Sequence, residues 1–126
     1  MKTLYLASPY THKSRIVQDL RHKAAEHATA HLFRLGYCVF SPIVHCHVLA
    51  AAHTMPGDFT FWQEYDQRMI DMMDILGVLQ IPGWKESKGV NAEIAYATLG
   101  GKMILEFEPA NVSIPDELLS ALRQLA

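Results

Sequence analysis

Cysteine is scarce in this 126-residue chain, which has two, Cys38 and Cys46. Two thiols cannot build the framework of a disulfide-rich secreted domain, and they form no C-x-x-C pair, so a dithiol redox centre is excluded as well. This usage points to a reducing compartment, the cytoplasm. Long hydrophobic runs are also missing. The apolar residues 4–7 end at Ser8-Pro9, too early for a signal-peptide core, and nothing approaches the roughly 20 apolar residues that span a bilayer. Nor does one sign of charge dominate: 11 Lys+Arg face 13 Asp+Glu for a formal net charge of −2, with no basic run. A surface dedicated to a nucleic-acid polymer is therefore not expected. No internal repeat, low-complexity tract or linker breaks the chain, which reads as one domain over residues 1–126.

What is present is core-forming material. Hydrophobic residues make up 50% and charged residues 19%, and a chain of this length buries about two thirds of its unfolded surface. Residues 3–7 read as a buried strand closed by Ser8-Pro9. Leu20, Ala24, Ala28, Leu32 and Leu35 then recur at helical spacing, with Gly36 placed just past the helix end. Residues 37–40 form a second short strand. The stretch 41–58 reads as the longest loop, with a turn at Pro56-Gly57. Residues 59–73 regain helical spacing, and 75–81 make a central strand before Pro82-Gly83. A third helix is expected from near Gly89 to Gly100-Gly101, a fourth strand over 102–107, and a last helix over 115–125. This β-α alternation predicts an α/β fold, a Rossmann-like or flavodoxin-like three-layer sandwich on a mostly parallel sheet of four to five strands. In such sheets ligands bind beyond the carboxyl ends of the strands, where strand order reverses.

Two carboxylates lie on the wrong face of their helices. On a helical wheel Trp62, Met69, Ile70 and Met73 fall within about 60° of Asp66, while Glu64, Gln67, Arg68 and Asp71 take the opposite side. Asp66 thus sits on an apolar stripe, where an ionised group is costly unless paired or hydrogen-bonded. Glu93 repeats the anomaly beside Val90, Tyr96, Ala97 and Gly100, near a helix start whose dipole would favour the ionised form. Each could be a structural carboxylate. Ser87-Lys88-Gly89, at the same helix start, has the ingredients of a phosphate cradle, and a plain N-cap is the simpler account. Two inward carboxylates from different helices plus an anion site suit glycosidic chemistry: one attacks the anomeric carbon while the leaving group departs from an oxocarbenium-like transition state.

Tyr5-Leu6-Ala7-Ser8-Pro9, the step from Asp66 to Asp74, and Ser87-x-Gly89-x-x-x-Glu93-x-x-x-Ala97 followed by Gly101-Lys102 resemble the nucleoside 2-deoxyribosyltransferase superfamily. Closest in pattern are its small nucleoside-monophosphate N-glycosidases and related short bacterial and phage proteins of the DUF1937 and DUF4406 types, with a Trp-x-x-x-Asp helix, here Trp62 to Asp66. The resemblance covers roughly residues 2 to 108. It implies that Glu93 is the nucleophile of a glycosyl-enzyme intermediate, that Asp66 orients or helps protonate at the scissile bond, and that Tyr5 lines the site. It implies phosphate binding by Ser87 and Gly89, a mainly structural Asp74, and an oligomer, a dimer or tetramer, with Ser113 as a cross-subunit contact. Where the glycosidases have a Gly-rich, Arg-containing loop, this chain has Ser8, Pro9, Tyr10, Thr11, His12 and Lys13, which passes the positive charge to Lys13 or Arg15. Ser8, Tyr10 and Asn91 join the expected substrate-binding set.

The resulting expectation is an N-glycoside hydrolase of a nucleoside 5′-monophosphate, without a cofactor, with a deoxyribosyltransferase as the alternative. Two other readings compete. The same fold could hold a nucleotide without cleaving it, as a sensor. His45-Cys46-His47 with His53 offers metal-ligand types for a metal-dependent hydrolase, although no second ligand pair follows at zinc-finger spacing. His45 or His47 could instead contact the nucleobase from the loop after strand two. His27 and His31 read as part of a packed helix side beside Ala24, Ala28 and Leu32.

Overall fold

The computed structural model describes residues 1–56 and 59–125. The chain opens with β1 (Thr3–Ala7), and Ser14 then caps α1 (Arg15–Arg34) by accepting from the Val17 N–H at 3.4 Å. α1 stops where Gly36 takes φ +96°, a conformation that costs glycine little, and Tyr37 N–H closes on Leu32 O at 3.2 Å. There follow β2 (Cys38–Phe40), α2 (Pro42–Ala52), α3 (Phe59–Asp71), β3 (Ile75–Leu79), α4 (Lys88–Leu99), β4 (Met103–Phe107), a 3₁₀ turn (Pro109–Val112) and α5 (Asp116–Leu125).

The expected loop over 41–58 is mostly helix. Ser41 Oγ accepts from Val44 N–H at 3.2 Å and Pro42 occupies the first turn, a start signal that launches α2. Residues 43–52 are apolar almost all round, so α2 has no polar face to reveal its period. The turn expected at Pro56-Gly57 falls partly outside the described residues.

The sheet is parallel throughout, in the order β2-β1-β3-β4, with Tyr5 beside Phe40 on one side and Leu76 on the other. Strand order reverses between β1 and β3. Side chains alternate along β1: Leu4 and Leu6 join a core with Ala24, Ala28 and Leu32 of α1 and Leu119 and Leu122 of α5. Tyr5 and Ala7 face the other way, onto Ile70 of α3 and Val90 and Ala97 of α4. The result is the expected three layers. Asp74 braces the strand entrances: its Oδ2 accepts from Thr3 N–H at 3.3 Å and its own N–H donates to Thr3 Oγ1 at 2.8 Å; hydrogen bonds from the Thr3 backbone and then its hydroxyl lower the carboxyl from its ordinary value. No helix among the described residues is long and apolar enough to cross a membrane.

Candidate active site

Beyond the carboxyl ends of β1 and β3, where the reversal leaves a crevice, lies a cavity of about 680 Å³. The loop after β1 contributes Ser8, Tyr10 and Thr11, α2 contributes Ile43, Cys46, His47 and Ala50, α3 contributes Trp62 and Asp66, and the start of α4 contributes Ser87, Lys88, Gly89 and Glu93.

Asp66 and Glu93 are 6% and 7% exposed, which confirms that both point inward. The Tyr5 hydroxyl, itself buried, donates to Glu93 Oε2 at 2.6 Å, and Asp66 joins the same hydrogen-bonded cluster. Tyr5 therefore sits behind Glu93, fixing it, and is not among the described residues lining the cavity. Burial pushes Asp66 up to about 6 against hydrogen bonds from Glu93 and Tyr5. Burial also drives Glu93 well above the usual carboxylate range; the Tyr5 hydrogen bond opposes this and Asp66 reinforces it. Glu93 falls in the second turn of α4, beyond the first-turn reach of the helix dipole, so the helix start does not hold it ionised. Two carboxyls this close hold a proton between them near neutral pH. Burial first, then both carboxylates, raise Tyr5, which remains a proton donor.

Two buried oxygens in the cavity-lining set, Ser8 Oγ and Asp66 Oδ1, have no hydrogen-bond partner among the described residues. Orphans of this kind are rare in folded proteins. Ser87 Oγ accepts from Val90 N–H at 3.2 Å, so it is an N-cap that also faces the cavity. Its neighbour Lys88 is the lysine in the lining, which includes neither Lys13 nor Arg15. Arg15 is exposed and bound to Asp19 at 3.3 Å, away from the lining. Asn91 is likewise outside the lining: its Nδ2 donates to Lys85 O and Ser87 O, both at 2.9 Å, which shapes the turn before α4.

The histidines are redistributed by α2. Successive helical residues are about 100° apart, so His47 turns into the cavity while His45 stacks parallel to Tyr65 with ring centres 6.3 Å apart, outside the lining. Among the described residues no three His, Cys, Asp or Glu side chains are grouped to hold a metal ion. His27 is exposed rather than packed, and His31 Nδ1 lies 2.8 Å from Ser113 Oγ within the same chain. Cys46 is pushed up to about 11 by burial and then Asp66, so its thiol stays protonated. Arg21 escaped the sequence reading because its place is set by long-range packing. It is buried, and its Nη1 donates to Thr11 O at 3.0 Å and Tyr10 O at 3.4 Å, fastening the loop that carries Ser8 and Tyr10.

A structure described as a 2-deoxyribosyltransferase from the psychrotolerant bacterium Bacillus psychrosaccharolyticus matches 94% of this chain and 80% of its own, at TM-score 0.54 and 25% identity. Residues 2–109 match the model of the family described as domain of unknown function DUF1937. The chain belongs to the DUF1937 family, within the nucleoside 2-deoxyribosyltransferase-like superfamily.

Proposed function

We propose that this protein is an enzyme that cleaves the N-glycosidic bond of a nucleoside 5′-monophosphate, with Glu93 as nucleophile. The observation that carries this reading is the buried Tyr5–Glu93–Asp66 cluster at the cavity by the strand-order reversal. In the first step a Glu93 carboxylate oxygen bonds to the anomeric carbon, the carbon–nitrogen bond breaks, and its electron pair leaves with the base, which takes up a proton. The Tyr5 hydrogen bond favours charge on Glu93 at that moment, and Asp66 takes up the proton that Glu93 otherwise donates to it. In the second step water displaces Glu93 and frees the sugar phosphate. Among the lining residues, Ser8 is the partner offered to the sugar, and Lys88 with the first turn of α4 is the partner offered to the phosphate.

The likeness to a 2-deoxyribosyltransferase favours a second reading, in which an acceptor base takes the place of water. Exposed Val48, Leu49, Phe61 and Tyr65 on α2 and α3 support the expectation that a second copy covers this side of the molecule. The free cysteines fit a reducing cytoplasm. Incubating the protein with a panel of ribo- and deoxyribonucleosides and their monophosphates, with and without an acceptor base, and following free base by chromatography tests the assignment. Base release from monophosphates without acceptor supports the hydrolase. Exchange only with acceptor supports the transferase, and binding without either leaves a sensor.

A further inference from the structure

The wall built by α2 and the loop after β1 carries a second set of linked polar groups that the carboxyl pair does not use. Tyr10 Oη lies 2.5 Å from His47 Nδ1, and His47 Nε2 lies 2.9 Å from Asp19 Oδ1. Tyr10 and His47 both line the cavity, the His47 side chain is 8% exposed, and Asp19 on α1 reaches solvent. With Nε2–H donating to the Asp19 carboxylate, Nδ1 is the nitrogen that can exchange a proton with the Tyr10 hydroxyl. His22 stacks on the His47 ring at 4.4 Å, and burial followed by the nearby His47 lowers its proton affinity, so it packs as a neutral plate. Arg15 holds Asp19 from the solvent side. An imidazole tied to a carboxylate at one nitrogen, and to a hydroxyl that opens on a cavity at the other, is wired to move protons.

The same wall offers apolar surface of the kind a flat base needs. Ile43, Cys46 and Ala50 of α2 present apolar surface beside His47, whereas the carboxyl pair comes from α3 and α4. We propose that Tyr10, His47 and Asp19 form a proton relay in which the Tyr10 hydroxyl protonates the departing nucleobase. The inference rests on the glycoside-cleavage reading above. In the step, the Tyr10 O–H proton passes to a ring nitrogen of the base as the carbon–nitrogen bond breaks. The His47 imidazolium gives its Nδ1 proton to Tyr10 Oη, leaving a neutral imidazole with Nε2–H on Asp19. When water attacks the glycosyl-enzyme, the water oxygen bonds to the anomeric carbon, the Glu93 ester bond breaks with its electron pair on Glu93, the water proton passes to solvent, and His47 regains its proton from the solvent that Asp19 reaches. Tyr10 and His47 are then catalytic, and Asp19 is a positioning residue that sets the tautomer.

The test compares two leaving groups. An ordinary nucleobase needs a proton to depart, but the pyridine of a pyridinium N-riboside 5′-phosphate leaves neutral without one. Tyr10→Phe, which keeps the ring and the fold, and His47→Gln are expected to lower kcat on the ordinary substrate by about 10²-fold with KM little changed. On the pyridinium substrate both should stay within about threefold of the parent protein, while Glu93→Gln is inactive on both. Asp19→Ala should follow the same leaving-group pattern with a smaller loss. Tyr10→Phe at the parent rate on the ordinary substrate overturns the relay, and so does an equal loss on both substrates, which would show that the bonds only pin α2 to α1. Should the pyridinium compound not be accepted by the parent protein, the ordinary substrate decides: a loss confined to KM overturns the relay. A parent protein that releases base from neither substrate overturns the glycoside reading, and the relay with it.

Discussion

The two faces of the sheet use the same strands for different ends. On the α1/α5 face, Leu4, Leu6, Ile75 and Leu79 meet Ala24, Leu32, Leu119 and Leu122, and the buried members of that cluster among the described residues are all aliphatic. On the α3/α4 face, one residue out of step along β1, Tyr5 packs among Ile70, Leu76 and Val90 and binds Glu93, with Asp66 beside it. Apolar burial on the first face contributes stability at roughly 25 cal/mol per Å². Buried carboxyls on the second withdraw some of it, in return for groups whose proton affinity is shifted toward the range useful in catalysis. The β-strand period of two separates these roles, so neighbouring residues can belong to opposite categories.

Substitutions on the two faces should therefore separate in kind. Glu93→Ala is expected to remove turnover, by 10⁴-fold or on that order, while thermal unfolding shows the fold retained. Turnover in a folded Glu93→Ala protein would place the nucleophile elsewhere. Asp66→Asn keeps the size of the side chain and should slow base release by about 10²- to 10⁴-fold, more in kcat than in KM. On the opposite face, Leu32→Ala should cost about 2–5 kcal/mol in denaturant unfolding and leave activity per folded molecule unchanged. If it instead altered kcat in folded protein, the separation of roles would fail.

A smaller effect concerns pH. Burial raises Asp66 to about 6 and drives Glu93 well above its ordinary value, so the native state binds protons that the unfolded chain has already released. Stability is then full below the unfolded carboxyl range, near pH 4, and declines as pH rises through 6 and above. Unfolding of the parent protein measured from pH 4 to 8 should show this decline, and Asp66→Asn should flatten part of it. A decline that is identical in the two proteins would assign it to other groups.

Much of this was readable before any coordinates. Asp66 and Glu93 violated the 3.6-residue period of their own helices, and that violation is the sequence trace of a buried, costly carboxyl. Strands and the Gly36 helix stop were carried by local chemistry. α2 was hidden because residues 43–52 alternate between no two environments, although Ser41-Pro42 announced it. The resemblance passes the missing loop charge to Arg15 and counts Asn91 with the substrate set, yet Arg15 is occupied by Asp19 and Asn91 by the backbone of the turn before α4. The Tyr10–His47–Asp19 contacts could not be read at all, since α1, α2 and the first loop meet only in three dimensions. The same holds for Arg21, whose reach to Tyr10 and Thr11 depends on how α1 lies on the sheet.

The central claim is the covalent role of Glu93. Quenching the protein in acid during turnover of the best substrate from the nucleotide panel, then weighing its peptides, tests it most directly. The account predicts one added sugar phosphate on the peptide that contains Glu93, and its absence in Glu93→Ala. The sugar on any other residue, or parent-like turnover by Glu93→Ala, would contradict it.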